Sequence, residues 1–176
     1  MGIKKLILTL TILLLIPIEI IACDCGLKKL AESQKSEMEF SECIFIGKII
    51  EVSDDLTYKI IVVESLDGGD LQGNVYIGRN WRYCYPYVEG QGTWLVYASM
   101  ENGFLTMNMC GLSRPFDRPV TNTVEALEIS SVLFTSEKSK TPEQDYIENM
   151  KIHRLVMANE IKALRKRRGY SIKANR

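Results

Sequence analysis

Histidine is nearly absent from this chain, with His153 the single example in 176 residues. Without a second histidine or an H-E-x-x-H spacing there is no ordinary catalytic zinc site. A serine or cysteine nucleophile would need His153 as its base, and nothing around it resembles a nucleophile elbow. His153 therefore reads as a surface residue of a helix. Phosphate-cradling glycine loops and C-x-x-C pairs are missing too. Net charge is also missing: 22 lysines and arginines balance 22 aspartates and glutamates, so no global field points toward nucleic acid. These absences point away from an enzyme and imply no cofactor.

A spanning hydrophobic run is lacking as well. Lys4 and Lys5 precede apolar residues from Leu6 to Ile16, but Pro17 and Glu19 break the run well short of the roughly 20 residues a membrane helix needs. With small Ala22 just before Cys23, residues 1–22 read as a secretory signal. The rest of the chain has the size of one domain plus a tail. Export makes Cys23, Cys25, Cys43, Cys84 and Cys110 candidates for bridges, and because five is odd one has another job. In an extended C-x-C segment, Cys23 and Cys25 point to one face and Asp24 to the other.

Five short strands are predicted. "SECIFIGKIIEV" (41–52) mixes β-branched and aromatic residues around Gly47, the pattern of a bulged strand. "TYKIIVVES" (57–65), "NVYIG" (74–78) and "GQGTWLVYAS" (90–99) come next, and Asn102-Gly103 is a hairpin turn into "FLTMNMCG" (104–111). A five-stranded OB-type barrel hides their edges most simply. The fold class is mainly β, with a helical tail over 120–176. Within the tail, 124–134 reads as a short helix and 142–168 as a long one stopped by Gly169. Ile147, Met150, Met157, Ile161 and Leu164 form a narrow stripe, interrupted by Arg154, that belongs on the barrel. The basic, acid-free end "KALRKRRGYSIKANR" has two readings, a solvated helix end or a contact with anionic lipid or polymer, and the first is the plainer. Leu105, Met107 and Met109 alternate as core residues would, although Met107, Met109 and Cys110 also carry soft donors suited to Cu(I).

The order of these features resembles the netrin-like module and the N-terminal domain of tissue inhibitors of metalloproteinases: C-x-C after a leader, "SECIFIGKIIEV", a cysteine in "RYCYPYVEGQGTWLVYAS" and another in "LTMNMCGLSRPF". The resemblance covers residues 23–119. It implies an OB-type barrel, a Cys23–Cys84 bridge and a Cys25–Cys110 bridge. It also implies an inhibitory ridge of Cys23, Asp24, Cys25, Gly26 and Cys84. In that family the α-amine and carbonyl of the first cysteine chelate the zinc of a protease in trans and displace its water. Asp24 stands where the family has a small hydroxyl residue. A carboxylate there would be desolvated near the protease's catalytic glutamate, so tight inhibition of the usual targets is not expected. Cys43 has no counterpart and reads as a free buried thiol.

Cys23 keeps a rival reading. "IIAC" also looks like a bacterial lipobox, in which the Cys23 sulfur carries a diacylglyceryl thioether and anchors the protein to a membrane. The alkylated sulfur could not join Cys84 and an acylated amine could not chelate zinc. The protein would then be a lipid-anchored binding or scaffolding module. Both readings place it outside the cytoplasm.

Overall fold

The computed structural model describes residues 23, 25–128 and 141–174. The expectations for a leader over 1–22, for Asp24 and for the far half of the 124–134 helix lie outside the described residues. In chain order the elements are α1 (Leu30–Phe40), β1 (Cys43–Val52), β2 (Thr57–Ser65), β3 (Val75–Arg79), β4 (Gly92–Glu101), β5 (Phe104–Met107), β6 (Arg114–Pro115) and α2 (Pro142–Ala174). Residues 124–128 form a further helical turn. The strands run in the order β1-β2-β3-β5-β4-β6, and a β1–β4 pairing closes the first five into a mixed barrel of the OB type. Among the described barrel strands, the β3–β5 contact, Gly78 opposite Leu105, is the parallel one.

Closure requires β1 to bend, and its sequence provides for it. The β1–β2 register slips between Ile46 and Gly47, where a Cβ would lie 2.5 Å from Ile60 Cδ1 and 2.7 Å from Phe45 Cε2. Glycine lets the strand fold over those side chains. Asn102 and Gly103, both at positive φ (51° and 82°), turn β4 into β5. The barrel is filled by Phe45, Ile49, Tyr58, Ile60, Val62, Trp94, Val96, Leu105 and Met107, all buried.

A second core lies outside the barrel wall. Ile44, Ile46, Leu66, Leu95, Tyr97 and Leu112 pack against Met157, Ile161 and Leu164 of α2, with Leu30 and Met38 of α1 beside them. The apolar stripe of the long helix thus meets the barrel as expected. Four details differ from expectation. Ile147 is exposed, whereas His153, expected at the surface, is 2% exposed on the buried stripe three residues after Met150 and four before Met157. Gly169 does not stop α2, because glycine costs about 1 kcal/mol in a helix but blocks no hydrogen bond. β5 ends at Met107, so Met109 leaves the alternation and is 48% exposed.

This second interface also holds charge. Arg114, 1% exposed, donates through Nη2 to Glu160 Oε2 (2.9 Å) and through Nη1 to the Leu112 carbonyl (2.7 Å). Tyr97 Oη donates to Glu160 Oε1 (2.7 Å) and Gln34 Nε2 to Glu160 Oε2 (3.1 Å). One carboxylate of α2 therefore gathers β4, β6 and α1.

Candidate functional site

The described start of the chain is fixed at two points. Cys23 is bonded to Cys84 and Cys25 to Cys110, with Cα separations of 5.7 and 5.3 Å. These are the two pairs the resemblance implied, and Cys43 is left as a buried free thiol, its pKa pushed up to about 12 chiefly by burial and then by Asp70. Cys23 and Cys25 both reach the barrel, as alternation in an extended segment requires. A sulfur shared with Cys84 has no valence left for a thioether. Two disulfides place the folded protein in an oxidising, extracytoplasmic space.

Each receiving loop is held independently of its bridge. Cys84 lies in the loop between β3 and β4, where the Asn80 side chain donates to the Val88 carbonyl (2.9 Å) and accepts from the Val88 amide (2.8 Å). Trp81 Nε1 ties the same loop to the Met107 carbonyl at 2.9 Å. Cys110 sits in the turn after β5 at φ 59°, and its amide donates to the Tyr85 carbonyl (2.9 Å), joining the two cysteine-bearing loops.

Beneath the Cys110 turn stands Glu37 of α1, 4% exposed. Its Oε1 accepts from the Leu112 amide (2.7 Å), and its Oε2 from Asn108 Nδ2 (2.5 Å) and Ser41 Oγ (3.0 Å). A Cβ at Gly111 would fall 2.0 Å from that Oε1, so only glycine lets the carboxylate come so close. Burial holds the Glu37 carboxyl above its ordinary range, and the hydrogen bonds from Asn108, Leu112 and Ser41 pull it back only in part.

On the other side, Asn122 Nδ2 donates to the Cys25 carbonyl (3.2 Å), Lys28 bridges to Thr123, and the Leu30 amide donates to Glu125 Oε2 (2.8 Å). A depression of about 330 Å³ opens here, lined among others by Gly26, Lys28, Glu37, Phe40, Met109 and Cys110. Phe40 and Met109 of its lining expose large apolar surface, Phe40 at 67%, as do Leu27, next to Gly26 in the chain, and Tyr83, next to Cys84, at 78%. The arrangement presents a stapled edge flanked by apolar side chains, the composition of a protein-contact surface.

Cys23, Cys25, Gly26, Cys84 and Cys110 are thus brought together, and Asp24 lies outside the described residues. The soft-donor group is dispersed: Met107 is buried inside the barrel, Met109 faces solvent, and Cys110 is oxidised. Among the described residues no cluster of histidine, cysteine, aspartate and glutamate is arranged to hold a metal. The sequence reading missed Glu37, Asn80 and Asn108, which hold the loops. Their one signal was a carboxylate and two amides amid otherwise turn-like residues. No protein family, curated protein or solved structure matches this chain.

Proposed function

We propose that the protein is a non-catalytic, exported inhibitor-like module that engages a zinc metalloprotease through a mature chain starting at Cys23. One observation carries the reading: both cysteines of the C-x-C segment are bonded to the barrel, so a chain cut before Cys23 would carry its α-amine and carbonyl beside two staples. An amine with a reference pKa of about 7.7 to 8.0 is partly unprotonated near neutrality and, with its own carbonyl, can occupy the open position of a protease zinc. The apolar rim of Leu27, Phe40, Tyr83 and Met109 supplies contact area around it.

Intact mass of the native protein comes first: a start at Cys23, two protons lighter per bridge, is expected, and added acyl mass would establish the lipid-anchored scaffold instead. The processed protein is then assayed against a panel of zinc proteases beside Asp24→Thr and a form with one alanine added before Cys23. Inhibition that strengthens in Asp24→Thr and vanishes with the added alanine is expected. No inhibition by wild type or Asp24→Thr rejects the protease role. The alternative, anchoring by lipid at Cys23, rests on "IIAC" and requires the Cys23–Cys84 bridge to be absent.

A further inference from the structure

We infer that the protein carries a second binding surface, made by the outer face of β2 and β3, the 66–74 turn and the basic end of α2, and that this surface docks on an anionic lipid bilayer. Tyr58, Ile60 and Val62 point into the barrel, so their neighbours in β2 point outward. Register places Val75 opposite outward Ile61 and Ile77 opposite outward Lys59. Val63, Val75 and Ile77 are 43%, 52% and 49% exposed, and Leu71 at the tip of the turn is 72% exposed. A neighbouring group of apolar side chains left in water marks an interaction surface.

Charge identifies the occupant. After Glu160 the chain has no acidic residue. Lys162, Arg165 and Arg168 recur at a spacing of three along one edge of α2, and that edge lies against β2. There Arg165 pairs with Glu64 at 2.6 Å and Arg168 donates to the Ser65 carbonyl. Lys48 is exposed and paired in register with Ile61 on the same outer face, whereas Arg167 lies on the opposite edge of α2, near Met38 and Ser41. Lys59 and Arg165 are paired with Glu51 and Glu64, and it is Lys48 and Lys162, bordering the protruding aliphatic side chains, that suit a surface with phosphate or carboxylate outside and hydrocarbon within. Face-to-face pairing of two copies would instead bring these cations together. The surface uses none of the ridge residues, so it stands or falls separately from protease binding.

The full processed chain is sedimented with vesicles of phosphatidylcholine alone and with phosphatidylserine added. Binding to the second and not the first is expected, and it should weaken as salt rises. Leu71→Asp, at an exposed turn, and the double change Lys48→Glu with Lys162→Glu should each reduce that binding by about tenfold or more. Circular dichroism of each variant confirms its fold. Absence of binding to the anionic vesicles, or binding unaltered by both variants, would overturn the proposal. So would a concentration-dependent dimer abolished by Leu71→Asp, which assigns the face to a second copy.

Discussion

The two cores of this molecule are built differently. Inside the barrel, Phe45, Ile60, Val96 and Leu105 are wholly buried and their contacts are apolar. Across the wall, α2 meets the same strands through Met157, Ile161 and Leu164 but also through the buried Arg114–Glu160 pair. Apolar packing is non-directional and tolerates repacking, whereas the ion pair is directional: Arg114 uses both terminal nitrogens on Glu160 and the Leu112 carbonyl, while its Nε is buried without a partner. The barrel could form with many cores, but the helix can dock in only one register.

The comparison can be broken most strongly at the charge. Glu160→Ala leaves Arg114 buried and unpaired, and denaturant unfolding should show a loss of about 3–5 kcal/mol. Replacing both partners, Arg114→Met with Glu160→Leu, should recover most of it. In the barrel, Leu105→Ala should cost about 2–5 kcal/mol through lost burial and a cavity, with no partner change able to rescue it except a larger apolar neighbour. Glu37→Gln should cost about 1–3 kcal/mol, because its one oxygen can replace either Oε1 or Oε2 and its NH2 then faces the Leu112 amide or the Asn108 and Ser41 donors, and protease trimming should then reach the Cys110 turn sooner.

Acidity sharpens the contrast further. Burial, followed by the charge of Arg114, holds His153 below its ordinary 6.5. The unfolded chain therefore takes up a proton first: stability from the neutral His153 is complete above about pH 6.5 and is lost as pH falls toward the folded value. His153→Met should flatten that stretch of a stability-versus-pH curve. The smallest effect belongs to the partly exposed Arg165–Glu64 pair, where Glu64→Gln should change stability by at most about 1 kcal/mol and less in high salt.

How much of this was legible depended on whether a residue announced its environment. The strands were readable because "CIFIGKII" and "TWLVYA" are β-branched and aromatic runs bounded by turn residues. The staple was readable only through the resemblance, which implied both pairs, since five cysteines by themselves left the state of Cys23 open. Helix α1 was not: "LAESQKSEMEF" has no clear apolar stripe, and its buried residue is Glu37. A helix that turns a carboxylate inward gives no hydrophobic period to detect. Met109 misled in the opposite way, since a strand that ends at Met107 carries no mark of its end in the alternation itself. Arg114 and Glu160 lie 46 residues apart and each looks like ordinary surface charge until the fold brings them together.

The bridges cross in sequence, Cys23–Cys84 interlaced with Cys25–Cys110, which has a consequence for how the chain is made. Synthesis delivers Cys23, Cys25 and Cys43 before either Cys84 or Cys110 exists, so an oxidising compartment meets three thiols whose proper partners are 61 and 85 residues later or, for Cys43, nowhere. Early oxidation can produce only wrong pairs. Any such pair has to be reshuffled before the native bridges form, and a Cys43→Ser chain, with one competitor removed, should reach its native bridges faster.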